Sequence, residues 1–324
     1  MNHSTVKSFT FGIGLFFTLP LVYGNSSSPS SSDGTLYINK SKTHKVAPVK
    51  YGFHYEEIGM MGEGALHAEL IRNRSFEEAT PPAGLSVKNG LYENVPAPRV
   101  KEKKVFQADP LIGWTTYPLS YTPVFISRTD ENPMSGENKY SMLVNVTEDI
   151  ANHPDALILN RGYYGMNLKT DTSYRLSLFL KNRNYSAPLR VFLVDEWGQR
   201  VSNVIEVNVG NRDWTKYTGE LKPEKNVRRG MFAIQPMSKG QFQIDVVSLF
   251  PSDTWNDGKS VFRKDIVQNL KEFSPSFIRF PGGCIVHGVN EETMYHWKKT
   301  LGPIENRPGQ WSKWAPYYRT DGIG

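Results

Sequence analysis

The sequence predicts a protein of mixed class, in which an α/β domain is interrupted by an all-β domain of the β-sandwich type. Three observations lead to this expectation. A strand-like stretch, YGFHYEEI, occupies residues 51–58. Short β-type segments separated by turns then fill residues 95–250 without helical periodicity. After Pro251, an amphipathic helical pattern at 261–273 precedes a second strand-like stretch, SFIRFPGG, which is the order typical of α/β domains.

The segment between these two strands contains seven stretches that we predict to be strands. They favour a β-sandwich of about seven or eight strands, because turn residues separate them at short intervals. In one of them, Leu176, Leu178 and Leu180 alternate with polar residues and should share one buried face. Four tryptophans, Trp114, Trp197, Trp214 and Trp255, are expected mainly in the sandwich core. The seven stretches are 140–146, 174–182, 189–195, 204–209, 214–221, 229–236 and 241–251.

The N-terminus has the features of a secretory signal peptide covering residues 1–24. Lys7 precedes an apolar stretch that ends in Val22-Tyr23-Gly24, and this stretch is short for a membrane span. Residues 25–35 are rich in serine and are expected to form a flexible linker. We therefore expect export to the periplasm or the cell exterior, with no membrane segment in the mature protein.

Composition narrows the function classes. The 324 residues carry a net charge of +6 from 38 basic and 32 acidic residues. The densest basic cluster, KEKK at 101–104, is expected to be a solvated turn, so nothing indicates a nucleic-acid partner. Cys284 is the single cysteine, which rules out an intrachain disulfide. No spacing of histidine and acidic residues matches a metal-ligand set, and no cofactor is expected.

Four motifs outside the predicted sandwich carry a family resemblance through their order along the chain. Together they resemble glycoside hydrolase family 51, whose members are α-L-arabinofuranosidases with a carbohydrate-binding-like sandwich inserted after the first barrel strand. The resemblance implies an incomplete N-terminal part of a (β/α)8 barrel, interrupted by a jelly-roll-like sandwich. The motifs are YGFHYEEIG followed by GEGALHAELIRNRSFE, then SFIRFPGGCIVHG, then WKKTLGPIENRPGQW, and finally YRTDGIG.

The resemblance also divides the chain after the linker. Residues 36–80 would hold a lead-in and the first barrel strand. Within them, the apolar residues between Ala65 and Ile71 suggest one or two helical turns that end near Asn73. Residues 81–252 would form the inserted sandwich, beginning at a Pro/Gly-rich break. Residues 253–324 would continue the barrel. The strands at 51–58 and 277–280 should then be neighbours.

Two adjacent acids at the end of the first strand raise the question of which one faces the site. Side chains alternate along a strand, so His54 and Glu56 share one face and Glu57 lies on the other. Barrels of this kind carry their chemistry at the carboxyl ends of strands. The resemblance therefore implies that Glu56 contacts the sugar, while Glu57 is expected at the rim, paired with Arg72 or Arg74.

The second strand and the turn after it supply the remaining expected sugar-binding residues. The resemblance implies that Arg279 holds carboxylates in the site and that Gly282 and Gly283 allow the backbone to pass close beneath the sugar. Cys284 occupies a position where some relatives place a sugar-contacting Asn, and Trp297 should shape the side that holds the leaving group.

Each of these assignments has a structural alternative. Glu56 and Arg279 could form a buried ion pair, Cys284 could be an inert thiol, and His54 and His287 could be ordinary core or rim residues. The resemblance places the nucleophile and the acid/base beyond residue 324, so we expect the chain alone to be inactive. A complete enzyme would release arabinofuranosyl groups from plant polysaccharides with retention. The alternative is a non-catalytic carbohydrate-binding protein whose functional unit is the sandwich.

Overall fold

A computed structural model describes residues 38–39, 41, 43, 45, 51–81, 86–93, 106–288, 291, 293–311 and 319–320. The predicted signal peptide and linker, the KEKK segment and the last four residues lie outside this part of the chain. The described residues are mostly β-sheet with few helices. Their strands are β1 (Phe53–His54), β2 (Ser86–Lys88), β3 (Leu91–Glu93), β4 (Phe106–Gln107), β5 (Trp114–Tyr117), β6 (Val124–Thr129), β7 (Ser141–Val146), β8 (Leu157–Asn160), β9 (Met166–Leu168), β10 (Tyr174–Asn182), β11 (Pro188–Val194), β12 (Ile205–Asn208), β13 (Thr215–Leu221), β14 (Val227–Pro236), β15 (Gly240–Pro251), β16 (Ile278–Arg279), β17 (Gln310–Trp311) and β18 (Arg319–Thr320).

Two antiparallel sheets form the sandwich. One has the strand order β13-β10-β15-β7-β6, and the other has the order β12-β11-β14-β8-β5 with β9 beside β14. The inward-facing side chains of both sheets make one continuous core, in which Leu176, Leu178 and Leu180 are almost completely buried, as predicted. Burying a leucine of this kind stabilises a fold by about 1.5–3 kcal/mol. Two smaller antiparallel sheets, β2-β3-β4 and β17-β18, lie outside the sandwich sheets.

All seven stretches that the sequence predicts to be strands are strands, with ends that differ by at most two residues. The prediction missed four sandwich strands, β5, β6, β8 and β9. The strand β8, LILN, is buried at every position, so it lacks the alternation that identifies a half-buried strand. The number of strands is therefore larger than the predicted seven or eight.

The tryptophans do not behave alike. Trp114 is buried in the core, and its indole nitrogen donates to the carbonyl of Asn73 at 3.0 Å. Trp214 and Trp255 are half-buried. The expectation that Trp197 belongs to the core is wrong, because its side chain is 72% exposed on a turn after β11.

The two α-helices follow the sandwich. Helix α1 spans Lys264–Glu272 inside the predicted 261–273, and α2 spans Cys284–His287. In α1 an acidic residue, Asp265, lies in the first turn and a basic one, Lys271, in the last, which complements the helix dipole. Short helical turns cover Gly62–Leu66, Ile150–Asn152, Trp297–Thr300 and Ile304–Asn306.

The helical turns predicted to end near Asn73 are only partly present. One turn, Gly62–Leu66, forms, and residues 67–81 are not helical. The amide of Ala68 donates to the carbonyl of Val261 and that of Leu70 donates to Leu249, so residues 67–70 follow other backbone segments, and turns and bends follow from residue 72. Ile71 and Phe76 insert into the sandwich core. The apolar residues that resemble a helical pattern are therefore buried by a sheet edge, and hydrogen bonds to distant backbone decide the local structure.

Charged side chains accompany this segment into the interior. The carboxylate of Glu69 accepts hydrogen bonds from the amides of Leu249 at 2.8 Å and Ile71 at 2.9 Å, and from the hydroxyl of Ser248 at 2.5 Å. Arg74 lies 3.7 Å from the same carboxylate. Burial raises the pKa of Glu69, although Arg74 and these hydrogen bonds act in the opposite direction. The cluster joins the segment after β1 to the last sandwich strand, β15.

His67, at the start of the same segment, makes stability depend on pH. Burial lowers its pKa to about 3, and the charges of Arg74 and Arg307 act in the same direction. Its ring contacts Phe250 edge to face at 5.2 Å between centroids. The folded protein therefore keeps His67 neutral, while the unfolded chain takes up a proton below its ordinary pKa of 6.5.

We expect the free energy of unfolding to fall as pH drops from 6.5 towards 3, because in this range the unfolded chain binds a proton at His67 and the folded protein does not. Relative to His67→Phe, the wild-type free energy of unfolding should fall by about 1.4 kcal/mol per pH unit in this window. Urea unfolding of both proteins at several pH values measures this difference. At about pH 8 the two proteins differ only by packing. If the two proteins lost stability equally with falling pH, His67 would take up its proton at the same pH in the folded and the unfolded chain, and the prediction would be wrong.

Candidate functional site

The carboxyl ends of β1 and β16 lie side by side, as predicted. The two strands pair in parallel, with His54 opposite Arg279. The ladder continues past both strands, because the amide of Glu57 donates to the carbonyl of Pro281 at 3.0 Å. All the strands of the sandwich lie between β1 and β16 in sequence. The parallel pair therefore brings the first motif and the Gly-Gly motif together at one edge.

The alternation of β1 separates its side chains as the sequence predicts. Phe53 packs on the ring of Phe273 at the end of α1, with centroids 5.6 Å apart. Tyr55, on the same face, donates from its hydroxyl to the carbonyl of Met61 at 2.5 Å. Burial raises the pKa of Tyr55 to about 12, with a further contribution from the charge of Glu57.

The expectation that Glu57 is a rim residue is wrong. Its side chain faces the packed side of β1, it is only 2% exposed, and it accepts a hydrogen bond from the amide of Glu63 at 3.3 Å. Of the two arginines proposed as its partners, Arg72 pairs with Glu78 at 2.6 Å, and Arg74 lies 3.7 Å from Glu69.

Glu56 lies on the opposite face, towards the turn that follows β16. Its side chain is 12% exposed, and one carboxylate oxygen accepts from the backbone amide of Ile285 at 3.2 Å. The other oxygen lies 3.8 Å from Nε2 of His54, which is 44% exposed on the same face. A backbone amide and a neighbouring imidazole thus hold the carboxylate in place and leave part of it open to solvent.

Glycine is required at position 282 by the approach of this carboxylate. Gly282 has φ of +145°, and a Cβ placed there would lie 2.2 Å from Cγ of Glu56. At Gly283 the nearest atoms to a Cβ would be Nη2 of Arg279 at 3.4 Å and Cε1 of His54 at 3.6 Å. The Gly-Gly turn is therefore enclosed by the side chains that the two strands contribute.

Arg279 lies near the turn, but it is not the buried ion-pair partner that the structural alternative required, and its expected role of holding carboxylates stays a prediction. Its side chain is exposed, and within the described residues it forms no salt bridge. Arg72 pairs with Glu78 and Arg74 lies by Glu69. Arg279 lies apart from these pairs, beside His54 and Gly283. A guanidinium in this position is available to a ligand.

The remaining predicted residues are less closely tied to Glu56. Cys284 is a free, half-buried thiol at the first position of α2. Trp297 is 60% exposed on a short helical turn, where Lys298 lies over its ring at 5.8 Å. Their roles at the site stay predictions. His54 shares the face of Glu56, as strand alternation predicts, and its role also stays a prediction.

The arrangement can bind polar ligands through one carboxylate, one guanidinium, one imidazole and a turn without side chains. Among the described residues, no group of three or more His, Cys, Asp or Glu side chains could hold a metal ion. Within the same residues, no helix is long and apolar enough to cross a membrane.

The fold and the site define a class. This is a mostly β protein in which an antiparallel sandwich is inserted between two parallel strands, and those strands carry polar residues at their carboxyl ends. Such ends are where barrel and open α/β domains place their functional sites.

Comparison with known proteins shows which proteins this chain is similar to. Residues 269–324 match the alpha-L-arabinofuranosidase 1 domain. Alpha-L-arabinofuranosidase 1 of Arabidopsis thaliana is 28% identical over 279 residues, which is 85% of this chain and 37% of that protein. The extracellular exo-alpha-L-arabinofuranosidase of Streptomyces chartreusis is 26% identical over 287 residues, 85% of this chain and 30% of that protein.

A solved structure agrees with these relatives. An arabinose-bound α-L-arabinofuranosidase of glycoside hydrolase family 51 superposes with a TM-score of 0.69 and 25% identity, covering 88% of this chain and 42% of that one. The chain is a homologue of the family 51 α-L-arabinofuranosidases over most of its length. It spans less than half the length of each of these relatives.

Proposed function

We propose that this chain is part of an exported α-L-arabinofuranosidase that hydrolyses terminal arabinofuranosyl groups of arabinoxylan or arabinan with retention of configuration. The observation that carries the proposal is the position of Glu56. Its carboxylate is fixed by the amide of Ile285 at the carboxyl ends of two parallel strands, over a turn that excludes any side chain. The homology supplies the sugar and the reaction class.

In this proposal the described residues bind the arabinofuranosyl group. Glu56 accepts hydrogen bonds from ring hydroxyls, which an ionised carboxylate does well because it has only acceptor sites. Gly282 and Gly283 let the sugar lie against the backbone, and Arg279 contributes donors from the open side. Cys284 borders the sugar, and Trp297 shapes the side of the leaving group.

The proposal assigns neither the nucleophile nor the general acid to this site. A retaining glycosidase needs two carboxyl groups about 5–5.5 Å apart that face one sugar. Glu56 and Glu57 are adjacent in sequence but point to opposite faces of β1, and Glu57 is buried on the packed side. The role of Glu56 is therefore to hold the substrate while other carboxyl groups perform the displacement.

Export forms part of the proposal. The N-terminal pattern predicts a cleaved signal peptide over residues 1–24. The Streptomyces chartreusis relative is described as extracellular. Polymeric arabinose-containing substrates lie outside cells, which agrees with a periplasmic or extracellular location.

Hydrolysis of an aryl α-L-arabinofuranoside by the complete protein tests the function. We expect release of the aryl group, with arabinose appearing first as the α-anomer in a proton NMR time course. An aryl β-D-xylopyranoside serves as the matched control, since it differs in ring form and configuration. Absence of turnover, together with retention of the protein on a polysaccharide affinity gel, would support the non-catalytic carbohydrate-binding alternative instead.

A further inference from the structure

The sandwich carries a groove that is separate from the Glu56 site. It lies on the face of the β12-β11-β14-β8-β5 sheet that points away from the other sheet, because Arg190 and Phe192 alternate with the core residues Leu189 and Val191. The groove has a volume of about 440 Å³. This is within the range of small-molecule binding sites, about 300–1,000 Å³.

One wall of the groove is an indole that a rigid turn holds in solvent. The carboxylate of Asp195 accepts from the amides of Trp197 at 3.1 Å and Gln199 at 3.0 Å, and it pairs with Lys225 at 3.0 Å. Burial tends to raise the pKa of Asp195, but these hydrogen bonds outweigh it and lower the pKa below its usual value. Trp197 is therefore presented by a fixed backbone.

A second aromatic ring supports the same turn from below. Gly198 has φ of +80°, and a Cβ placed there would touch the ring of Tyr117 at 3.4 Å. Phe192 completes the aromatic lining next to the sheet. Phe192 and Tyr117 also belong to a small hydrophobic cluster of the fold, so they give Trp197 a packed aromatic base.

The floor of the groove carries planar polar groups. Arg190 and Gln235 are directly opposite on β11 and β14, and Nη1 of the arginine donates to Oε1 of the glutamine at 3.3 Å. The amide nitrogen of Gln235 donates in turn to the carbonyl of Pro154 at 2.6 Å. The Nε of Arg190 is buried, and the described residues offer it no acceptor. Arg190 and Gln235 both line the groove, so a ligand there meets the accessible atoms of this planar pair.

These features select a class of ligand. A sugar ring has an apolar face that stacks on an aromatic ring, and hydroxyl groups that both donate and accept hydrogen bonds. The groove matches both requirements with Trp197 and the Arg190–Gln235 pair. Its charges do not form an anion site, since Arg200 pairs with Glu224 at 3.3 Å and Asp155 also lines the groove.

We propose that the groove between Trp197 and the Arg190–Gln235 pair binds a neutral oligosaccharide. The site would keep the protein on a polysaccharide chain while a different part of the molecule acts on it. The inference does not rest on hydrolytic activity, because it needs only the sandwich residues.

The test is calorimetric titration of the chain with xylohexaose, with a neutral arabino-oligosaccharide and with an anionic oligogalacturonate. All proteins carry Glu56→Gln, which weakens sugar binding at the strand-end site, so that the titration reports mainly on the groove. We expect at least one neutral sugar to bind, and Trp197→Ala to weaken that binding by about tenfold or more. Phe125→Ala is the matched control, because Phe125 is 55% exposed on β6 of the other sheet and should leave binding unchanged.

Arg190→Lys provides a second, independent variant, which keeps the charge but loses the planar fork. It should also weaken binding, and thermal melting confirms that each variant is folded. The proposal is overturned if no neutral sugar binds, if the anionic sugar binds more tightly, or if Trp197→Ala and Phe125→Ala have equal effects. Any of these results leaves the arabinofuranoside assay of the complete protein unaffected, so the two proposals fail separately.

Discussion

Glu56→Gln should lower kcat/KM of the complete protein towards an aryl α-L-arabinofuranoside by about 10–150-fold. Hydrogen bonds to a charged group contribute about 1.5–3 kcal/mol, and this range converts directly into that loss of rate. The amide keeps the shape of the side chain but replaces one acceptor oxygen with a donor. Steady-state kinetics give the change, and thermal melting should show only a small loss of stability.

The adjacent acid is the natural control. Glu57 differs from Glu56 by one position and by the face of β1 on which it lies. Glu57→Gln should therefore act mainly on stability, because the group is buried, and less on the kinetics of the folded enzyme. If the two variants lost activity equally and Glu56→Gln also lost stability, the assignment of Glu56 to substrate binding would be wrong.

This pair shows how far strand alternation can be used from sequence alone. The period of two in YGFHYEEI separates Glu56 from Glu57, and the structure confirms that separation. The same argument identifies Leu176, Leu178 and Leu180 as one buried face. The pairing of β1 with β16 followed from chain order, because a strand, a helix and a second strand predict parallel neighbours.

Other features depend on contacts that no local pattern encodes. The stretch from Ala65 to Ile71 has the apolar spacing of a helix, yet hydrogen bonds from Ala68 and Leu70 to residues 261 and 249 keep its second half out of a helix. The acidic and basic residues in and just after this stretch look solvent-exposed in sequence, but Glu69 and Arg74 are buried together. Both the backbone path and the burial of these charges depend on partners that are distant in sequence. A local sequence pattern therefore does not reveal them.

The aromatic residues illustrate the same limit at the surface. Trp114 and Trp197 are indistinguishable by residue type, and average statistics place both in a core. The turn fixed by Asp195 turns Trp197 outwards instead. The groove that results is a property of the sheet and of the turn together. Sequence alone could have pointed to it only through the D-x-W-G turn, since Asp and Gly at those positions favour a tight exposed turn.

The last of the expected effects comes from Gly282→Ala. The new methyl group would have to occupy the space of the Glu56 side chain, because its carbon would lie 2.2 Å from Cγ and 2.6 Å from Cδ of that glutamate. The side chain must move, and with it the carboxylate that Ile285 now holds. Since displacing a substrate-positioning group by about 1 Å can cost 10²-fold in rate, we expect at least this loss in kcat/KM.

Stability should fall as well, because two effects act at this position. The backbone has φ of +145°, a region that residues with a Cβ avoid, and the methyl group also clashes. Together these should reduce the free energy of unfolding by about 1–3 kcal/mol. Urea unfolding measures this reduction, and kinetics of the fraction that remains folded measure the displacement of Glu56.

Gly302→Ala separates the two effects. Gly302 also has a positive φ, +92°, but a Cβ there would meet no atom within 4 Å. It should therefore lose stability through backbone strain alone and keep its activity. The double variant Glu56→Gln with Gly282→Ala gives the decisive comparison: if both changes act through the same carboxylate, their losses in kcat/KM are not additive. Additive losses would mean that Gly282 serves the site in a way that does not involve Glu56.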